Sequence, residues 1–366
     1  MSINRVKFLL FSIVGILLSV GFRSDQKTGT PITLRDEKLN FIPHEFYISD
    51  VLDNRSDKST TAILVSKNGT GSYITQPFDL KDGAASAIKQ FITRNLNQNV
   101  SLRPVIISIK SLKLEETNAA GGRINGHLSI DFSFGLQKNY GTLYLTDYKG
   151  GTRYTRSDAQ ANIAEPILRQ GIETALTWFN NWINANAEND PRLARSVKVK
   201  LADYTEKPEG DTIYYAANRP LTWDDFKDKP RGGGFEAEVF TGLGYTEGVT
   251  VEKGIINLSI TLKVAMAKSD CWVRDGNRDE YVLNHEQRHF DIAKIVGEHF
   301  KQKIAAMKLP PDNYDGEINV EYLETLRELH RMQTQYDSET RHGADHAAQE
   351  EWNAKIDKQL KALGAK

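Results

Sequence analysis

The spacing of apolar residues predicts a mixture of strands and helices in the first half of the chain. Apolar and polar residues alternate through 105–114 and 124–136, as they do in strands with one buried face. Residues 84–96 and 157–187 instead carry apolar positions three and four apart, which predicts amphipathic helices. This pattern favours an α+β fold for a first domain over residues 30–204, with further strands predicted at 38–51, 61–66 and 141–148.

The second half of the chain begins with strands and ends in helices. Residues 256–266 alternate cleanly, which predicts a strand whose buried face carries Leu258, Ile260, Leu262, Val264 and Met266. A hairpin is predicted over 235–250, and helices are predicted over 279–304, 320–336 and 346–363. Pro, Gly and charged residues gather at 205–218, which predicts a linker ahead of a second domain at 219–366.

The N-terminus has the pattern of an export signal. Arg5 and Lys7 precede an uncharged apolar stretch over 8–22, which is short for a membrane-spanning helix. We therefore interpret residues 1–23 as a signal peptide or an uncleaved N-terminal anchor. Either reading exports the remainder of the chain and predicts a periplasmic, cell-envelope or extracellular protein.

Charge and cysteine content narrow the chemistry. Lys and Arg number 47 against 48 Asp and Glu, and this balance argues against nucleic acid as the main partner. The single cysteine, Cys271, excludes an intramolecular disulfide and a thiolate zinc cluster, and it is expected to pack as a small apolar residue. A bound metal would therefore need histidine and carboxylate ligands. Six of the eight histidines lie from His285 onward.

The segment His285-Glu286-Gln287-Arg288-His289 is the feature that carries chemistry. Residues four apart on a helix stand on one face about 6 Å apart, so both imidazoles can bind one Zn²⁺ ion. Glu286 is turned by about 100° from His285 and can approach a water on the ion rather than the ion itself. Both histidines fall within the apolar stripe of the predicted helix, which points them into the domain. Glu286 is therefore the candidate catalytic residue, acting as a general base.

A catalytic zinc site needs a third protein ligand. No further histidine on the same helix can reach the metal, because His299 lies roughly 15 Å along the axis from His289. His342 is the favoured candidate because it falls at a break between two predicted helices, where the backbone can bend toward a neighbouring site. Asp337 and Glu339 are close rivals.

Several motifs of the second domain occur in a recognisable order. They read LTWDDF, SDCWV, NHEQRHFDIA and YDSETRHG, followed by a tryptophan near the end. Together they resemble the bacterial family called domain of unknown function 922, whose members are predicted to be secreted zinc-dependent proteases. The resemblance covers residues 219–363 and implies zinc on His285, His289 and His342, with Glu286 as base. The chain departs from the family pattern at Arg288 and at Cys271, neither of which is an implied ligand.

These observations predict a secreted zinc-dependent peptidase with a zincin-like second domain, acting on a peptide or protein substrate. The polar edge of strand 256–266 is expected to hold an extended peptide. Two alternatives stay open at this point. One is a non-catalytic cell-envelope binding protein with a degenerate or structural metal site, and the other is a zinc hydrolase of a non-peptide amide in the cell wall. The first domain is expected to be an accessory domain with a partner in the cell envelope.

Overall fold

The structure is a computed structural model that describes residues 29–205, 210–231 and 234–365. The chain divides into two compact units, the first ending at Asn180 and the second beginning at Asn181. Within the described residues, no helix combines the length and apolar character needed to cross a bilayer. The predicted signal segment, 1–23, lies outside the described residues. Both units combine sheet and helix, which confirms the predicted α+β class.

The first unit contains one six-stranded sheet. Its strands run in the order β3-β2-β4-β5-β6, with β1 also pairing in parallel with β4. The strands are β1 (Phe46–Asp53), β2 (Ala62–Lys67), β3 (Tyr73–Phe78), β4 (Arg103–Ala119), β5 (Arg123–Lys138) and β6 (Gly141–Ser157). The predicted strands are present, although the first of them begins only at Phe46 and the last three run longer than expected.

Two helices supply the other half of this core. They are α1 (Ala84–Asn95) and α2 (Ala164–Asn186), close to the predicted spans. Ile88, Phe91 and Ile92 of α1 are fully buried, as their spacing predicts. Phe179 of α2 stacks on Phe134 of β5 with ring centroids 4.1 Å apart. Such contacts between large apolar side chains provide the main driving force for this unit.

A charged group is also buried in the first unit. The side chains of Glu116 and Arg156 are 1% and 3% exposed and form an ion pair. The Glu116 carboxylate also accepts hydrogen bonds from the Tyr154 hydroxyl, at 2.7 Å, and from the Val65 amide, at 2.9 Å. Both carboxylate oxygens are thus engaged by the protein itself. Burial opposes ionisation, but these donors outweigh it and hold the pKa of Glu116 below its usual value.

The second unit is built on a four-stranded sheet and a separate pair of short strands. In the four-stranded sheet, β11 pairs with β10 along one edge and with β7 and β8 along the other. The expectation that β11 offers a free edge to a peptide is therefore wrong. The strands are β7 (Ser196–Asp203), β8 (Thr212–Tyr214), β9 (Ala237–Glu238), β10 (Thr241–Glu252), β11 (Ile255–Ala267) and β12 (Trp272–Val273), with β9 and β12 forming the separate pair.

The division of the chain lies ahead of the predicted linker at 205–218. The reason is β7, which the sequence assigns to the first domain but which pairs in parallel with β11. A local pattern cannot reveal a partner strand that lies so far along the chain. The predicted hairpin over 235–250 also differs, because β10 pairs with β11 rather than with β9.

Three helices complete the second unit: α3 (Glu280–Ala306), α4 (Tyr314–Thr340) and α5 (His346–Ala362). The buried face of α3 lies against the predicted apolar face of β11. A Cβ at Gly297 would come within 2.8 Å of Leu262 Cδ2, so this glycine allows α3 to approach the sheet closely. α3 and α5 match their predicted spans closely. α4 is longer than predicted at both ends, and its extension past Tyr336 matters for the site.

Candidate metal centre

The helix α3 brings the two predicted histidines together. Asp279 caps the helix, since its Oδ1 accepts a hydrogen bond from the Val282 amide at 2.9 Å. His285 and His289 follow one turn apart, with ring centroids 5.0 Å apart and ring planes at 87°. Both side chains are largely buried, at 7% and 12% exposed. The arrangement of the two histidines is as the sequence predicts.

Asp337 is the third residue of the group. It lies on the last turn of α4, and the candidate ligand atoms of His285, His289 and Asp337 all lie within 4.8 Å of one another. Asp337 Oδ1 is 3.4 Å from His285 Nε2 and 2.9 Å from His289 Nε2. Burial works against ionisation of Asp337, but the facing histidines outweigh it and hold its pKa well below the usual range. The carboxylate is therefore ionised at neutral pH.

The other two candidates for the third ligand lie outside this group. His342, favoured by the sequence, has its Nδ1 3.5 Å from Asp337 Oδ1, and its side chain is 50% exposed. Glu339 accepts hydrogen bonds from Trp352 Nε1 at 2.7 Å and from Gln335 Nε2 at 2.8 Å. The geometry therefore corrects the sequence preference in favour of Asp337. The physical reason is that α4 continues to Thr340 and turns Asp337 toward α3.

Two glutamines fix the orientation of the histidine rings. His289 Nδ1 is hydrogen-bonded to Gln333 Oε1, and His285 Nδ1 lies 2.9 Å from Gln349 Oε1. The Gln333 amide nitrogen donates to the His289 carbonyl at 2.9 Å, so its oxygen must face the ring. Each Nδ1 consequently carries a proton, and each Nε2 is turned toward the site, where it presents a lone pair when the imidazole is neutral.

With both imidazoles neutral, this arrangement leaves three acceptor atoms facing one another. Asp337 Oδ1 is shielded from solvent and receives no hydrogen bond from the described residues. The Nε2 atoms of His285 and His289 lie opposite it, and each carries a lone pair when its imidazole is neutral. Two ligands of a tetrahedral zinc ion, each about 2.1 Å from it, lie about 3.4 Å apart. The observed separations of 3.4 and 2.9 Å from Oδ1 to the two nitrogens are close to that value, so the donor set fits a divalent cation.

Glu286 is buried beside this group. Its Oε2 accepts a hydrogen bond from the Val239 amide at 2.8 Å. Burial raises the pKa of Glu286, and the nearby His289 and His285 offset only part of that effect. One oxygen of the Glu286 carboxyl group is thus held by a hydrogen bond. The surroundings of the group favour its protonated form.

The residues between the two histidines connect α3 to its surroundings. Gln287 accepts a hydrogen bond from the Leu221 amide at 2.8 Å and donates to Asp291 Oδ1 at 2.9 Å. Arg288 forms an ion pair with Asp291 and another with Asp357 of α5. These contacts tie the LTWDDF motif and α5 to the helix. Arg288 therefore has a structural role, outside the group formed by His285, His289 and Asp337.

The SDCWV motif holds the segment that covers Glu286. Cys271 Sγ accepts a hydrogen bond from the Phe240 amide at 3.2 Å, and Trp272 Nε1 donates to Glu238 Oε2 at 2.8 Å. Burial raises the pKa of Cys271 to about 12, so the thiol stays protonated. As the sequence predicts, Cys271 packs as a buried residue.

A strained turn closes the site at the end of α4. Arg341, His342 and Gly343 have φ values of 52°, 55° and 82°, and the first two residues are not glycine. Each such non-glycine residue costs about 1–3 kcal/mol. At Gly343, a Cβ would lie 3.4 Å from the His285 ring, and the carbonyl accepts a hydrogen bond from the Tyr281 hydroxyl at 2.5 Å. The turn is thereby held against the metal-ligand candidates.

A cavity of about 1120 Å³ opens onto the site. Its walls come from the 234–241 segment, from α3 and α4, and from the turn that follows α4. His285, Glu286, His289 and Asp337 all line it. A volume of this size accommodates several residues of a peptide, or a ligand of comparable size.

Two contributors to the site, Gln333 and Gln349, are missed by the sequence patterns. Gln333 and Gln349 orient the rings, and the fully buried ring of Tyr336 packs against both histidines at centroid distances of 4.8 and 4.9 Å. Gln333 has a usable signal, since it lies four residues before Asp337 on one helical face. Gln349 has no such signal, because it comes from another helix.

The chain shows only low similarity to the solved structures described below. No curated protein matches it. Among solved structures, a Xanthomonas campestris protein of the DUF330 family is 8% identical, with a TM-score of 0.29 over 43% of this chain and 98% of that one. A minor lipoprotein from Acinetobacter baumannii is 13% identical, with a TM-score of 0.20 over 27% of this chain and 80% of that one.

A family model matches the part of the chain that holds the site. The match spans residues 277–343, which include His285, Glu286, His289, Asp337 and His342. It is shorter than the motif resemblance over 219–363, but it contains the two most characteristic motifs. The family is described as a bacterial protein of unknown function. The resemblance drawn from the motifs is thus confirmed over residues 277–343, which match the DUF922 family model.

Proposed function

We propose that the second unit is a zinc-dependent peptidase with a zincin-like architecture, in which His285, His289 and Asp337 hold the metal. The observation that carries this proposal is that Asp337 Oδ1, shielded from solvent, faces the Nε2 atoms of His285 and His289. Such a set of acceptors is unfavourable on its own and becomes favourable around a cation. When bound there, zinc would lower the pKa of a water molecule and polarise the substrate carbonyl that is attacked.

Glu286 acts as the general base in this proposal. The Val239 amide anchors Oε2, which leaves Oε1 to take a proton from the attacking water. The raised pKa of Glu286 favours holding that proton until the leaving amine nitrogen accepts it. The net reaction adds the elements of water across the peptide bond, and the carboxylate is regenerated.

A peptide substrate is favoured by the backbone of β9. One edge of β9 pairs with β12, and the Val239 amide that follows β9 points the other way, to Glu286. Because backbone groups alternate along a strand, the amide and carbonyl of Ala237 point to that same side. Residues 237–241 line the cavity. An extended peptide can add to this edge and bring its carbonyl to the metal centre.

The decisive test compares Glu286→Gln with the wild-type protein. We expect purified wild-type protein to bind one equivalent of zinc and to cleave a denatured protein substrate. Glu286→Gln should keep its zinc and lose at least about 100-fold in turnover, since a general base contributes 10²–10⁴-fold. Glu339→Gln is the matched control, because Glu339 points to Trp352, away from the three ligand candidates.

Two results would contradict this function. Wild-type protein that fails to bind stoichiometric zinc after exposure to the metal would remove the enzyme hypothesis. It would leave the non-catalytic envelope protein as the better reading. Full turnover by Glu286→Gln would remove Glu286 from the mechanism while leaving a metal site in place.

We further propose that the protein is exported. This rests on the basic and then apolar sequence over residues 5–22, which has the pattern of a signal segment. Fractionation of cells that carry the full chain tests it, and recovery of the protein in the cytosol would contradict it.

A further inference from the structure

The turn after α4 carries more backbone strain than the end of a helix requires. A helix commonly ends with one left-handed residue, which is usually glycine. Here Gly343 is preceded by two non-glycine residues in the same region, Arg341 and His342. Backbone hydrogen bonds hold the turn in place. The His342 amide donates to the Asp337 carbonyl at 2.8 Å, and the Asp345 amide donates to the Thr340 carbonyl at 2.9 Å. Strain that the surroundings maintain in this way often marks a functional position.

The consequence of this strain is that two side chains are presented to the cavity. Arg341 and His342 both line it. The ring of His342 packs on Phe235 with centroids 4.5 Å apart and lies 3.5 Å from Asp337 Oδ1. Arg341 directly precedes His342, and both belong to the cavity wall that His285, His289 and Asp337 also line.

The side chain of Arg341 has no ion-pair or hydrogen-bond partner among the described residues, whereas most acids of the cavity wall are engaged. Glu286 accepts from Val239, and Glu238 accepts from Trp272. Asp279 caps α3, and Asp337 faces the histidines. Of the acidic wall residues, this leaves Glu236, which is exposed. The cavity wall thus contains an arginine side chain without a partner, together with carboxylates that already have hydrogen-bond or ion-pair partners.

We infer that Arg341 is a specificity-determining residue that binds a carboxylate of the substrate next to the scissile bond. This inference rests on the proposed function, and it adds a substrate class to it. A guanidinium is the side chain best matched to a carboxylate, because two parallel N–H groups meet two oxygens. The carboxylate can come from an Asp or Glu side chain, or from the C-terminus of a peptide.

The test uses a pair of zinc-binding probes and does not depend on turnover. One probe is succinic acid monohydroxamate, which carries a free carboxylate, and the other is the corresponding carboxamide. For zinc-loaded full-length protein, we expect the carboxylate probe to bind at least about tenfold more tightly, which corresponds to about 1.4 kcal/mol. Calorimetric titration measures both affinities.

Variants assign the preference to Arg341. In Arg341→Asn the ratio of the two affinities should fall to about one, while the carboxamide probe binds as before. Asparagine is chosen because it tolerates the left-handed backbone better than alanine does. Arg331→Asn is the matched control, since Arg331 is an exposed arginine of α4 outside the cavity wall. Zinc content should be equal in all three proteins.

Digestion of a peptide mixture identifies the source of the carboxylate. Cleavage within two residues of Asp or Glu, unaffected by C-terminal amidation, assigns a side-chain carboxylate. Cleavage near the C-terminus that amidation abolishes assigns the terminal one.

Each contrary outcome has a distinct meaning. Equal binding of the two probes by the wild-type protein overturns the role of Arg341 and leaves the metal centre intact. A preference that survives in Arg341→Asn also overturns it. Binding of neither probe overturns the proposed zinc site, and the inference falls with it.

Discussion

Each unit of the protein buries a glutamate, and the two glutamates are treated in opposite ways. Glu116 in the first unit meets Arg156, the Tyr154 hydroxyl and the Val65 amide, and its pKa is lowered. Glu286 in the second unit meets one amide donor, and burial raises its pKa. Glu116 is surrounded by donors of the protein itself, whereas Glu286 borders a cavity.

The difference shows that burial of a charged group does not by itself indicate a site. A buried ion pair whose hydrogen-bonding capacity is filled inside the protein has nothing left to offer a ligand. The group around Asp337 keeps a buried carboxylate oxygen to which none of the described residues donates a hydrogen bond, and an added cation would satisfy it. The useful criterion is the unfilled capacity of the buried groups, together with an opening toward solvent.

The largest expected effect is on the stability of the first unit. Glu116→Ala leaves Arg156 buried without its partner, and loss of one member of such a pair costs about 3–5 kcal/mol. Denaturant titration should show this loss in the free energy of unfolding. Glu115→Ala, at the exposed neighbouring position, is the control and should change it by less than about 0.5 kcal/mol. An equally small change for Glu116→Ala would mean that the Glu116–Arg156 ion pair and its hydrogen bonds contribute little to the free energy of unfolding.

The next effect concerns the third ligand. Asp337→Ala should weaken zinc binding by about 100-fold or more, about 2.7 kcal/mol, because a ligand is removed. His342→Ala should change it by less than about tenfold. Competition with a zinc-sensitive dye measures both affinities. The reverse ranking would restore the sequence preference for His342.

A smaller effect is expected from the ring-orienting glutamines. Gln349→Ala removes the acceptor for His285 Nδ1, and loss of such a partner weakens metal binding by about 10- to 100-fold. The same dye competition applies. Gln335→Ala is a suitable control, because Gln335 is exposed and pairs with Glu339. Equal affinities in both variants would show that the rings keep their orientation without Gln349.

The smallest effect is a dependence of stability on pH. The folded state lowers the pKa of Glu116 from the value of 4.5 for a free glutamate. Its contribution to stability is therefore fully present above pH 4.5 and is lost as the pH falls through the lower folded-state pKa. The difference in unfolding free energy between wild type and Glu116→Gln should shrink in that acidic range. A difference that grows on acidification would contradict the lowered pKa.

The sequence predicts the parts of the site that depend on local periodicity. The helix that carries His285 and His289 has a clear apolar stripe, and the alternation along 256–266 is equally plain. Asp337 is harder, because residues 337–340 contain no apolar position that would extend the helix pattern beyond Tyr336. They are nevertheless helical, and this extension turns Asp337 toward the site.

Contacts between distant parts of the chain leave no such signal. β7 belongs with β11 because of a parallel pairing across more than fifty residues, which no short pattern encodes. Gln349 reaches His285 from α5 for the same reason. The sequence therefore predicts which residues can do chemistry better than it predicts which residues hold them in place.

The position of Asp337 on α4 also bears on the order in which the protein is made. All six strands of the first unit's sheet precede residue 158, so that sheet can form early during synthesis. The second unit's sheet needs β11, and the proposed metal centre needs the end of α4 as well. A growing chain consequently has no complete set of the proposed ligands until residue 337 has been added, well after both histidines.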